Sequence, residues 1–170
     1  MRGLRLSTAI AAAALCLAVV ATPAAARQPG TTIVDTAIAV NAATGEFDEL
    51  IGAVVRAGLV DELDGRRQFT VFAPTDAAFE ELYAALGVDS VDDISVATLR
   101  AVLLHHVAPG ERYSDDVVSS TQIRTLNRDF LSPSVQGGSA YVDGAQILLA
   151  DVDASNGVIH VIDSVLVPGS

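Results

Sequence analysis

A single α+β domain is the fold class this chain predicts, and three observations carry that expectation. Between Ile33 and His106, apolar residues recur at the spacing of amphipathic helices, about every three to four positions. Beyond Ser114 the period falls to about two, and Gly137-Gly138, Asp143-Gly144 and Asn156-Gly157 punctuate it as tight turns between strands. The chain has 170 residues with no repeat, linker or low-complexity segment in its organised part, so helices and strands share one unit.

Residues 1–26 read as a signal peptide. Arg2 and Arg5 give a positive start, Ala9 to Ala21 is apolar, and Ala24-Ala25-Ala26 supplies the small-x-small cleavage pattern. The apolar run falls short of the roughly 20 residues of a membrane span. An uncleaved N-terminal anchor is the alternative. Cys16 sits inside the run rather than at its end, which argues against a lipid-modified cysteine. Cleavage leaves 144 residues without cysteine, so stability rests on a hydrophobic core and not on disulfides. Residues 27–31 form a polar, flexible leader, and the domain is expected over residues 32–168.

The elements follow in order. Ile33, Val34, Ala37 and Ile38 keep helical spacing, with Thr31 or Thr32 as cap. Phe47, Leu50, Ile51, Val54 and Val55 form the stripe of a second helix that Gly58 ends. Leu59, Val60 and Leu63 make a short further turn. Phe69–Ala73 is a strand stopped by Pro74, after which Thr75 or Asp76 caps a helix bearing Phe79, Leu82 and Leu86. Another helix runs from Ser95 to His106, closed by Pro109-Gly110. Strands are expected at 123–126, 130–135, 139–142, 145–150 and 158–167, the last bent or split, with the strand at Phe69 joining this late sheet.

Charge narrows the partners. All ten basic residues are arginine, and residues 27–170 carry eight of them against 21 carboxylates, a net −13 with neutral histidines. Such a surface repels phosphate backbones and anionic headgroups, so no nucleic acid partner and no stable membrane insertion after signal cleavage are expected. Solubility is the plain explanation of the charge.

Chemistry is sparse. The three histidines are His105, His106 and His160. Neighbours on a helix point about 100° apart, so His105 and His106 do not share a metal, and no metal or cofactor is expected. His106 lies on the apolar stripe and reads as a buried imidazole bonded to backbone, whereas His105 turns toward Thr98, Ala101 and the surface. His160 faces the same way as Val158 and Ile162, opposite Ile159, Val161 and Asp163, so His160, Asp163 and Ser164 do not form a triad. The pairs Asp115-Asp116 and Asp151/Asp153 read as solvated loop carboxylates. No nucleophile elbow or phosphate loop is present, and no enzyme activity is expected.

Three blocks, TVFAPTDAAF (Thr70–Phe79), LLHHVAPG (Leu103–Gly110) and ASNGVIHVIDSVLVP (Ala154–Pro168), resemble the fasciclin family. Weaker similarity extends over Thr32–Pro168. The resemblance implies a fasciclin-like wedge of strands packed against helices. It also implies a secreted, extracellular or periplasmic module for cell adhesion, matrix or biofilm contact, with a cell-surface or matrix protein or polysaccharide as partner. By position it points to His105, His106, Asp151 and Val152 as adhesion or binding residues. His105 stands where the family has tyrosine, and Asp151-Val152 where it has Asp-Ile. The alternative is a carrier holding a pigment or lipid between wedge and helices, in keeping with a mean hydropathy of +0.44.

Overall fold

The computed structural model describes residues 30–168, so the signal-peptide reading of residues 1–26 and most of the leader lie outside the described residues. Helix α1 (Ile33–Thr44) starts on Thr32, whose hydroxyl accepts from the Asp35 N–H while the Asp35 carboxylate accepts from Thr32. Helix α2 (Asp48–Ala57) stops at Gly58, which turns left-handed at φ 65°. A four-residue turn, α3 (Val60–Leu63), then leads to strand β1 (Phe69–Pro74). Thr75 caps α4 (Asp76–Leu86), and Ser95 caps α5 (Val96–His105). The strand-rich half follows, as expected from its period.

Three elements escaped the sequence reading. A 3-10 turn spans Val91–Asp93, strand β2 (Val107–Pro109) pairs antiparallel with β1, and helix α6 spans Ser114–Ser119. Each is six residues or fewer, too short for a period to register. The remaining strands are β3 (Ile123–Arg124), β4 (Phe130–Leu131), β5 (Pro133–Gln136), β6 (Ser139–Val142), β7 (Ala145–Ala154) and β8 (Gly157–Ile162). The single strand expected over 130–135 is thus two, broken at Ser132, where Asp143 binds the backbone N–H.

Six strands form one sheet in the order β2-β1-β8-β7-β6-β5, and β3 pairs with β4 separately. Strand β1 does join the late sheet, pairing parallel with β8 from Phe69 opposite Gly157 to Pro74 opposite Ile162. Both central strands are buried along their whole length, the usual condition of a parallel pair. Alternation then divides the interior in two. Val71, Ala73, Ile159 and Val161 face the helices with Phe79, Leu99 and Leu103. Phe72 and Ile162 belong to a second cluster with Val117, Ile123, Leu131 and Val142.

Two turns differ in instructive ways. Asp143 and Gly144 both have positive φ and join β6 to β7, as a type I′ hairpin requires. The expected Asn156-Gly157 turn is shifted by one, because Ala154 pairs with Gly157 and the loop is Ser155-Asn156. Asn156 is instead a buried clamp: its Oδ1 accepts from the Ile33 N–H at 2.7 Å, and its Nδ2 donates to the Leu63 carbonyl at 2.6 Å. Gly157 allows the close approach of β1, since a Cβ there would lie 1.9 Å from the Phe69 oxygen.

Candidate functional site

The four candidate residues occupy two places. His105 and His106 end α5, while Asp151 and Val152 lie in β7 beside β8. The histidines are both interior, and the expectation that His105 reaches the surface is corrected: it is 2% exposed. Its Nε2 lies 3.9 Å from an Asp143 carboxylate oxygen, and its Nδ1 has no hydrogen-bond partner. Burial holds its pKa below the ordinary histidine value, against the opposing pull of Asp129 and Asp143.

His106 is the backbone-bonded imidazole its stripe position predicts. Its Nδ1–H donates to the Val102 carbonyl at 2.8 Å, and its Nε2 accepts from the Leu166 N–H at 2.9 Å. Only a neutral ring can serve both partners. Burial pushes its pKa down to about 4.

Asp151 is not a solvated loop carboxylate. Register shifts between Ile147 and Val152 mark a bulge in β7, and Asp151 takes a left-handed φ of 59°. Its carboxylate receives two hydrogen bonds from Ser114, one from N–H at 2.7 Å and one from the hydroxyl at 2.6 Å. It therefore moors the start of α6 to the sheet. Its own N–H donates to His160 Nδ1 at 3.3 Å, and His160 Nε2–H donates to the Arg112 carbonyl at 2.9 Å. His160 is fully buried and stacks on Phe72, and burial lowers its pKa. Val152 is half-buried against the helix-side core.

Sequence reasoning passed over Ser114, Arg112 and Tyr113. The signal for Ser114 existed: a serine followed by two aspartates is a helix start. Tyr113 stands exposed, its hydroxyl 3.0 Å from Asp153 and 3.1 Å from Glu111. The bond to Asp153, more than any other influence, pushes its pKa up to about 12. Further along β7, at the register shift, Leu148 and Leu149 are exposed.

Ser114, Asp151 and His160 invite comparison with a hydrolytic triad, but the order is wrong. The serine hydroxyl donates to the carboxylate, and both imidazole nitrogens are engaged by backbone, so no base faces a nucleophile. Asp163 is separate, accepting from the Gln146 N–H. Among the described residues no three acidic, histidine or cysteine side chains converge as a metal site, and no helix is long and apolar enough to cross a membrane.

A second feature is an apolar cleft of about 180 Å³ between α1, α2 and α3, floored by Val71. All eleven of its lining residues are isoleucine, valine, leucine or alanine. Ile38 and Val55 form its exposed rim, so Val55 leaves the buried stripe on which its spacing placed it.

Comparison with known proteins places this geometry. Protein sll1483 of Synechocystis sp. is 39% identical over 145 residues, 83% of this chain and 78% of that protein. Immunogenic protein MPB70 of Mycobacterium bovis is 35% identical over 115 residues, covering 66% of this chain and 56% of that protein. Transforming growth factor-beta-induced protein ig-h3 of Sus scrofa is 33% identical over 125 residues, 73% of this chain but only 18% of its own length. A solved FAS1 domain pair from the insect cell adhesion molecule Fasciclin I shares the fold, with a TM-score of 0.67 at 19% identity over 82% of this chain and 51% of that one. The family model of the fasciclin domain matches residues 45–168, and the chain belongs to the fasciclin domain family.

Proposed function

We propose that this chain is a secreted or periplasmic, non-enzymatic binding module that mediates adhesion to a cell-surface or matrix protein or polysaccharide. Its similarity to a domain pair from a cell adhesion molecule supports the class of function. The observation that carries the reading is the Asp151–Ser114 mooring. It spends a left-handed backbone and a paired carboxylate on fixing α6 and the Tyr113 segment against β7, and local strain of that kind concentrates at functional surfaces.

On this reading the four residues divide their labour. His105 and His106 hold the end of α5 from inside, Val152 anchors β7 to the core, and Asp151 sets the position of the exposed face. Contact with the partner falls to Tyr113, Asp153 and Leu149. The test is attachment of residues 27–170 to the source cells and their matrix. Tyr113→Ala combined with Leu149→Ser should reduce attachment at least tenfold with an unchanged circular dichroism spectrum. Full attachment by that folded variant removes this face from the account.

A second reading, a carrier of a small apolar molecule, is favoured by one observation, the aliphatic cleft under α1.

A further inference from the structure

We infer that the cleft between α1 and α2 is a binding site for the end of a saturated alkyl or acyl chain whose head group is uncharged and stays in water. The inference rests on the carrier reading and gives it a site and a ligand class. Size comes first. A cavity of about 150 Å³ lined by aliphatic and aromatic side chains stays dry and takes up benzene. At about 180 Å³ this cleft admits a little more, about six to eight carbons.

The lining fixes the kind of carbon. Every wall residue is aliphatic, so no aromatic face is offered for a flat ring to stack on, and no donor or acceptor side chain orients a polar group inside. Branched, unstacked walls suit a flexible chain. The way in passes Ile38 and Val55, which line the cleft and are 48% and 62% exposed. A chain longer than the cleft therefore leaves it between α1 and α2, and its head group emerges there.

Charge selects that head group. Helices α1, α2 and α3 and the loop that follows them carry Asp35, Asp48, Glu49, Asp61, Glu62 and Asp64 against Arg56, Arg66 and Arg67, a net charge of −3. Of these cations Arg56 is already bonded to Asp92 and to the Ile94 carbonyl. A carboxylate or phosphate head would meet a surface with an excess of negative charge, whereas a hydroxyl, ester or sugar meets no such opposition.

The helix that roofs the cleft is held at its ends. At its start, the Ile33 N–H is bound by Asn156 and the Thr31 carbonyl by the Ser155 N–H; near its end, Asn41 binds Asp48 and the Phe47 N–H. Of its twelve residues only Ile33 is buried.

The experiment titrates residues 27–170 with 1-octanol and, separately, with octanoate, following methyl resonances by heteronuclear NMR. Saturable shifts confined to the cleft methyls (Ile38, Ile51, Val54 and Val55 among them) are expected with octanol, and binding at least tenfold weaker with octanoate. Ala37→Phe fills the cleft and should abolish the octanol shifts while leaving the melting temperature equal or higher. Should that variant fail to fold, Val54→Met, which adds less volume, is read in the same way. Shifts that never saturate, shifts centred elsewhere, or binding unchanged in the filled variant overturn the site. Octanoate binding as tightly as octanol overturns the uncharged head group. Mass spectrometry of the protein purified from its own cells separates the two levels. An apolar passenger found there, when octanol is refused, keeps the carrier reading and discards this cleft.

Discussion

His106 is the residue on which pH acts most directly. Its ring must be neutral to accept from the Leu166 N–H while donating to the Val102 carbonyl. Its pKa falls from 6.5 in the unfolded chain to about 4 in the fold, so between those values the unfolded state binds the extra proton. The stability it confers is complete above pH 6.5 and is lost as pH falls toward 4, up to roughly 3 kcal/mol. His105 and His160 shift in the same direction and add to the slope. Urea midpoints should therefore drop between pH 7.5 and 4.5, and His106→Gln should flatten the dependence. A midpoint that stays level across that interval removes the neutral-ring account. Gly157 makes a different demand. A methyl group there would sit 1.9 Å from the Phe69 oxygen, so Gly157→Ala must part the central parallel strands. A loss of more than about 3 kcal/mol, or no soluble protein, is expected on expression and thermal melting.

At the scale of elements, the clearest dependence is that of α6 on β7. A helix of six residues has no intrinsic stability in water, and this one buries Val117 while borrowing its first-turn partner from Asp151. Asp151→Ala should cost about 1–2 kcal/mol, the loss of a helix cap together with a hydroxyl partner. Amide exchange should accelerate at Ser114–Val118 and remain slow in α5, and uniform acceleration would mean that α6 is held by something else. The same element shows where the sequence was legible. Helices α1, α2, α4 and α5 declared themselves because ten or more residues display a period and each start or stop has a recognisable cap. Strand β2 and helix α6 are three and six residues long, and the bulge in β7 breaks the alternation that would have carried its reading past Ala150. The site suffered most from this. Asp151 and Ser114 are 37 positions apart, and their meeting depends on a register shift that no local pattern announces. Asn156 was misread for a related reason: Asn-Gly signals a turn, but here its amide group is recruited by backbone from α1 and α3.

The whole molecule is governed by the contrast between its interior and its surface. The sheet has apolar clusters on both faces, and its central strands are shielded from water throughout. Outside, all 21 carboxylates fall within residues 30–168, where only seven arginines oppose them. Among the described residues two Arg–carboxylate ion pairs form, Arg56 with Asp92 and Arg100 with Glu62. Added salt acts on these two features in opposite directions. Screening weakens the pairs, each exposed enough to contribute no more than about 0.5–1 kcal/mol. It also relieves the mutual repulsion of the excess carboxylates, which falls off within a Debye length of about 10 Å at 0.1 M. With 21 carboxylates against seven arginines in residues 30–168, the repulsive contribution wins. Raising sodium chloride from 10 mM to 300 mM at pH 7.5 should lift the melting temperature by about 2–4 °C, equivalent to roughly 1 kcal/mol for a chain of this size. A melting temperature that falls with salt would instead show that the two ion pairs outweigh the surface repulsion, and the excess of carboxylates would then need a partner to explain it.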